Sequence, residues 1–337
     1  MESRLAAFST AIDELIRDLL IASPQYDGIY DMLRYHLGWI DESGNAVAAP
    51  PGKRLRPALC LLVAEGISGD WRAAVPGATA IELVHNFSLI HDDIEDRSEL
   101  RRFRKTVWAL RGEAQAINAG DSMLIVAEQA LVERAPAERA LPALRLLNRS
   151  CRGLCEGQYL DLFWEHETSV TEHQYLEMIE RKTARLFQTA AEMGALFAGA
   201  DEATQQQFGS FGSSLGMAFQ VIDDLLGAWA PVVDTGKTAE LDIATRKKTL
   251  PAVLGLSSDS PAGSRLRALY GLDRNLTPPE TAEAIDLLNE LGMRERTSEV
   301  ARRYRDEAVG QLDTLAERHK VAPLRELILS VLPGIPQ

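Results

Sequence analysis

Apolar residues recur at three- and four-residue intervals along almost the whole chain, the spacing of one face of an α-helix. Phe8, Ile12, Leu15, Ile16, Leu19 and Leu20 mark an amphipathic first helix. Segments 75–95, 114–134, 138–162, 172–199, 202–228 and 280–318 each sustain the pattern for three or more turns. Breakers separate them at Pro50-Pro51-Gly52, Ser68-Gly69-Asp70, Ala135-Pro136, Gly199-Ala200-Asp201 and Ser257 through Gly263. Alternating strand patterns bounded by turn signals are nearly absent, and no repeat of solenoid length occurs. The pattern predicts an all-α fold, a single-domain bundle of long helices over 1–337 around a central cavity. Residues 227–248 hold Lys237, Asp242, Arg246, Lys247 and Lys248, and read as an ordered functional loop between helices.

Two apolar stretches are interrupted by acid. Ile81 to Ile90 carries only Glu82, His85, Asn86 and Ser88 as polar breaks and runs into His91-Asp92-Asp93-Ile94-Glu95-Asp96. Asp92 and Asp96 fall at i and i+4 and share a helix face. Some 130 residues on, Phe208 to Leu226 is largely apolar or small, Gln220 aside, and is interrupted by Asp223-Asp224. Acidic stretches are usually solvated helix faces, but matching interruptions in two apolar helices are not explained that way. Carboxylates so close repel one another and ask for a positive guest. Hard oxygen donors suit Mg²⁺, which is held by one or two carboxylates together with substrate phosphates. Arg101 and Arg102 follow at once, guanidiniums shaped to grip phosphate oxygens. Acid followed by base reads as a site for a metal-complexed polyanion.

Composition narrows the class. The net charge of −13 over 337 residues argues against binding nucleic acid through bulk electrostatics. No uninterrupted apolar run reaches 18 residues, so no membrane-spanning helix and no integral membrane association are expected. The N-terminus lacks a signal peptide's pattern, which points to a cytoplasmic protein. Cys60, Cys151 and Cys155 offer no second pair or nearby histidine for zinc and read as reduced thiols.

Five motifs carry a resemblance. Gly52-Lys53-Arg54-Leu55-Arg56-Pro57, then His85 through Arg102, Lys182-Thr183, Phe219-Gln220 with Asp223-Asp224, and Lys237 stand in the order and spacing of the trans-polyprenyl diphosphate synthases. The likeness covers about residues 50 to 255 and resembles the short-chain geranylgeranyl and farnesyl type. It implies the isoprenoid synthase type I fold, a homodimer, and two acidic clusters facing each other across a cavity mouth. It implies substrates too, an allylic diphosphate and isopentenyl diphosphate. Asp92, Asp96 and Asp223 would ligate three Mg²⁺ ions, with Asp93 and Asp224 in support. Arg101, Lys182 and Lys237 would neutralise the allylic diphosphate, with Thr183 and Gln220 lining the cation site. Lys53, Arg56, His85 and Arg102 would hold isopentenyl diphosphate. His85 and Asp92 are two helical turns apart, on nearly the same face.

The implied reaction is ionisation, condensation and elimination, giving a short all-trans product, C20 ahead of C15. Phe87 matches the family's chain-length gate and Ser88 would leave room beside it, although an ideal helical wheel places Phe87 off the carboxylate face. The second motif departs from the family in having Gly227 where a third Asp is usual, and Ala230 for an acidic residue after Trp229. Two other classes share part of the pattern. A class I terpene cyclase has the metal chemistry but needs no second diphosphate site. A non-catalytic subunit of a heteromeric synthase typically loses the acidic clusters.

Overall fold

A computed structural model describes residues 1–21, 24–47, 52, 54–165, 167, 169–229 and 241–331. The chain divides into two compact units, and each is taken by itself. The first comprises Met1–Cys151, Thr189–Gly209 and Leu315–Glu326; the second comprises Arg152–Gln188, Ser210–Thr314 and Leu327–Gln337.

In the first unit, α1 (Glu2–Leu19), α2 (Asp27–His36) and α3 (Leu55–Ser68) lead to α4 (Val75–Glu95). Pro76 sits in the first turn of α4, where its missing N–H has no bond to lose. Buried residues run all round α4 from Pro76 to Asp93, the mark of a helix enclosed by others. It packs mainly on α6 (Glu113–Arg134), then on α3 and α1. Between α4 and α6 come a hairpin, β1 (Leu100–Arg101) and β2 (Arg104–Lys105), and the short α5 (Val107–Arg111). Both residues at the hairpin tip have positive φ, Arg102 at 52° and Phe103 at 63°. That is the primed turn whose twist matches paired strands, normally built from Asn-Gly. Sequence periodicity misses so short an element, because two residues cannot show an alternation.

The second unit holds the end of α7 (Ala137–Trp164), α8 (Glu172–Ile179) and the start of α9 (Arg185–Phe197). It also holds most of α10 (Glu202–Trp229). Thr171 and Gln174 close a reciprocal capping box at the start of α8. Between α8 and α9 the backbone takes a π-helical turn over Glu180–Ala184, so the stretch 172–199 is not one regular α-helix. The short α11 (Leu241–Ala244) and α12 (Leu250–Leu256) precede α13 (Pro261–Tyr270). The expected single helix over 280–318 is two, α14 (Pro278–Glu290) and α15 (Met293–Leu315). Gly292 ends the first at φ 69°, a left-handed position that only glycine takes without strain. The last helix is α16 (Ala322–Val331).

The all-α expectation holds, the hairpin aside. The expected loop over 227–248 is shorter at both ends, because α10 continues to Trp229 and α11 begins at Leu241. What lies between, Lys237 included, is outside the described residues.

Candidate active site

The first unit gathers its charged residues around the last turns of α4. Asp92 is half-buried, Asp93 buried and Asp96 exposed. The hairpin folds back so that Arg101 Nε donates to Asp93 Oδ1 at 2.8 Å. Asp93 Oδ2 is buried with no hydrogen-bond partner. Burial pushes the Asp93 carboxyl up to about 6 against the pull of Arg101, and Asp92 and Asp96 add to the rise. An orphaned carboxylate oxygen beside two more carboxylates is a donor set that a hard cation fits.

One to three turns earlier on the same helix, the surroundings turn basic. Glu82 is buried, with Arg54 Nε 3.5 Å away and Asn86 Nδ2 donating to its Oε1 at 3.1 Å. Arg54 is itself fixed by the Ser9 carbonyl and by Asp13 at 2.6 Å. It is therefore a structural tie to α1 rather than a free ligand. Burial drives His85 well below its ordinary pKa, and Arg56, Arg102 and Arg101 push the same way. His36 is depressed to about 3 by burial and by Arg101 and Arg102. Neutral imidazoles among several arginines, with Glu82 and Asp93 as the buried acids, leave a surplus of positive charge suited to an anion. A Cβ on Gly52 would fall 3.0 Å from Arg102 Cζ, so the chain at Gly52 lies close against that guanidinium. Lys53 is outside the described residues.

The two chain-length candidates sit between these groups on α4. Ser88 is buried and its hydroxyl donates to the His85 carbonyl at 2.8 Å, so it presents no free polar group. Phe87 is buried, and its ring meets His91 edge-on at 5.7 Å.

In the second unit, Asp223 is exposed near the end of α10 and Asp224 is buried behind it. Asp224 accepts from the Tyr175 hydroxyl, from the Leu250 N–H at 2.9 Å and from Gln220 Nε2 at 3.0 Å. Burial pushes its carboxyl up to about 7, against those hydrogen bonds. Thr183 Oγ1 donates to Gln220 Oε1 at 2.8 Å, so Thr183, Gln220 and Asp224 form one hydrogen-bonded chain. Lys182 and Thr183 ride on the π-helical turn, a distortion frequent at functional sites. Gly157 of α7 lets this turn come close, since a Cβ there would lie 2.8 Å from Lys182 Cα. Lys182 Nζ bonds Asp161. Burial alone would raise the Asp161 carboxyl, but Lys182 and Lys247 outweigh it and hold it below its ordinary value. Gly227 is close-packed too: a Cβ there would run into the carboxylate of Asp242. The place of the absent third Asp is thus filled by a carboxylate from another element.

Sequence reasoning missed three of these groups. Asp161 lies one turn after Gly157 on α7, and Tyr175 lies seven residues before Lys182 on α8. Each is a polar group at helical spacing from something important, a weak signal without knowing which helices meet. His36 falls on a helix that periodicity did not mark. Among the described residues no three acidic or histidine side chains converge into a ready-made metal cage. A Mg²⁺ site that draws several ligands from substrate phosphate and water does not need one.

Comparison with known proteins identifies the family. The family profile for polyprenyl synthetase matches residues 38–288. The (2E,6E)-farnesyl diphosphate synthase of Mycobacterium tuberculosis is 42% identical over 276 residues, 81% of this chain and 77% of that protein. The geranylgeranyl diphosphate synthase of Methanosarcina mazei is 36% identical over 333 residues, 98% of this chain and 94% of that one. Among solved structures, a polyprenyl synthetase from Streptomyces coelicolor superposes with a TM-score of 0.90 at 36% identity, over 100% of this chain and 99% of that one.

Proposed function

The chain belongs to the polyprenyl synthetase family, and from that membership we propose that it is a Mg²⁺-dependent prenyltransferase joining an allylic diphosphate to isopentenyl diphosphate. The product is a short-chain prenyl diphosphate. The relatives span the farnesyl and geranylgeranyl types, and we take C20 ahead of C15 on the Phe87 and Ser88 pattern. The observation that carries the reading is the end of α4, where an orphaned buried carboxylate oxygen stands beside two further carboxylates.

Asp92, Asp96 and Asp223 are the residues we assign to three Mg²⁺ ions, with Asp93 and Asp224 supporting them. When bound, the metal supplies charge neutralisation of the leaving diphosphate, an effect worth several kcal/mol of barrier. Lys182 and Lys237 add positive charge on the allylic side, where Asp161 keeps the Lys182 ammonium in place. Arg101 was expected to serve the diphosphate directly. Its Nε bond to Asp93 gives it a bridging role in this reading, holding a carboxylate with Nε while its two Nη groups serve the anion. Thr183 and Gln220 orient their oxygen atoms toward the developing carbocation. Lys53, Arg56, His85 and Arg102 hold the diphosphate of isopentenyl diphosphate. His85 does so as a neutral ring donating one N–H, since burial first and the surrounding arginines second disfavour a further proton.

The C–O bond of the allylic substrate breaks, and its electron pair leaves with the diphosphate. The isopentenyl double bond then attacks the allylic carbon. The adduct loses a proton, which the departing diphosphate accepts, as no obvious general base stands among the described residues. Apolar helix faces keep out the water that would quench the cation. The alternatives fare less well. A cyclase has no use for the basic group around His85, and a non-catalytic subunit has none for intact carboxylates.

We further propose a homodimer. On α6, Ile117, Ile125 and Val132 are exposed by 46%, 55% and 59% and fall within a roughly 80° arc that also carries Asp121 and Glu128, a mixed stripe whose apolar members have no cover in the monomer. No described helix is long and apolar enough to cross a membrane. None of the three cysteines forms a disulfide, which suits a reducing, cytoplasmic setting. Asp92→Ala and Asp96→Ala test the main reading. Each should cut turnover by several orders of magnitude while the helical circular dichroism persists. Full activity in either variant, or in excess chelator, would sink it.

A further inference from the structure

Resting on the chain-length reading of Phe87, we propose that His91 and Gly120 are specificity-determining residues. The imidazole of His91, seated in the notch that Gly120 leaves on α6, holds Phe87 in place and so helps set product length. Phe87 and His91 lie one turn apart on α4, side by side on one face. Their rings meet at 90° with centroids 5.7 Å apart, the edge-to-face arrangement that aromatic pairs prefer. On its far side His91 presses against α6. A Cβ built on Gly120 would stand 3.1 Å from His91 Cε1 and nearer still to Cδ2 and Nε2, so only glycine admits the ring. His91 Nε2 lies 3.3 Å from the Ile117 carbonyl oxygen and 3.7 Å from Asp121 Oδ1. Those contacts fix the plane of the imidazole, and with it the edge offered to Phe87. The floor is thereby built from two helices, α4 supplying the ring and α6 bracing it through His91.

A simple space-filler would not look like this. Phe87 is 5% exposed, but the His91 side chain keeps 28% of its surface in water, a poor choice for plugging an apolar gap. A brace with one wet edge can be dislodged without opening the core.

The experiment reads the products formed from a C5 allylic diphosphate and labelled isopentenyl diphosphate, separated by chromatography. The variants are Phe87→Ala, His91→Ala, Gly120→Ala, Phe87→Ala with His91→Ala, and His91→Ala with Gly120→Ala. His91→Ala should shift the main product at least one C5 unit longer, as Phe87→Ala does. The Phe87→Ala, His91→Ala pair should go no further than Phe87→Ala alone, because one residue acts through the other. Gly120→Ala should change the distribution in the wild-type background and not in the His91→Ala background, where the notch is vacant. KM for both substrates should stay put in His91→Ala, which a general loosening of the site would not allow. If Gly120→Ala does not fold, His91→Ala and its pair with Phe87→Ala decide the matter. A longer product from Phe87→Ala with no change from His91→Ala overturns this inference and leaves the chain-length reading standing. An unchanged product from Phe87→Ala removes both.

Discussion

At the scale of single residues, glycines carry more of the site than their chemistry suggests. Gly227 stands where the motif was expected to hold a third Asp, and on sequence alone it leaves Asp223 as the expected ligand of that motif. In the structure it is a seat for the Asp242 carboxylate. Gly227→Asp should therefore harm the protein rather than restore it, because it sets a second negative charge against Asp242 as well as crowding it. Crowding of this kind costs about 1–3 kcal/mol, so the melting temperature should fall and activity drop. Gly227→Ala should cost less. Adding Asp242→Asn should rescue part of the Gly227→Asp loss but little of the Gly227→Ala loss. A Gly227→Asp protein as stable and active as wild type would show that Asp242 simply swings aside. The carboxylates themselves were legible in the sequence because each interrupts an apolar helical run, and burial makes an interruption informative. The contact of Asp242 with Gly227 was not, since nothing local ties a residue after a loop to a glycine before it. Tyr175 was hidden for the same reason: its hydroxyl matters only because Asp224 is at the other end of the bond.

At the scale of elements, the regular helices follow from periodicity and the distortions do not. The apolar pattern over 172–199 is continuous, and one wider turn within it hardly disturbs a spacing of three and four. Yet that turn aims Lys182 and Thr183, and Gly157 allows it to sit against α7. Gly157→Ala would place a methyl against the backbone N and Cα of Lys182, and backbone cannot step aside as a side chain can. The expected result is a turnover lower by about 10²-fold, the order that a misplacement near 1 Å brings, with KM for isopentenyl diphosphate little changed. Steady-state kinetics with each substrate varied in turn would check this. A variant with wild-type turnover would mean that the π-helical turn does not position the lysine. The hairpin makes the same point from another side. Arg101 and Arg102 were expected from the sequence to grip phosphate, but the tight turn that brings Arg101 back onto Asp93 was not foreseen. The break at Gly292 was within reach, since a glycine after a leucine-rich turn is a common helix stop.

At the scale of the whole molecule, the exposed stripe on α6 bears on assembly and the half-buried histidines bear on pH. Ile125→Glu places a charge in the centre of the stripe. Sedimentation should show a dimer for wild type and a monomer for the variant, because a buried unpaired charge is not tolerated at an interface core. A wild-type monomer at micromolar concentration would remove the proposal. The pH response is the sum of two opposed sets. His36 is held near 3 in the fold, whereas an unfolded histidine titrates near 6.5. As acid is added below about 6.5 the unfolded chain takes up a proton that the folded chain refuses, so His36 withdraws stability through that window. His85, also depressed, acts in the same direction. Asp93 and Asp224 oppose them: raised to about 6 and about 7, they bind protons first in the fold and add stability as pH falls. Replacing His36 with glutamine removes one member of the first set and leaves the second. The melting temperature of His36→Gln relative to wild type should accordingly be more favourable at pH 5 than at pH 8, in metal-free buffer. Asn86 keeps a hydrogen-bonding neighbour in that variant, which limits the change at pH 8 to packing. A difference between the two proteins that does not vary with pH would mean that His36 is not the group withheld from protonation.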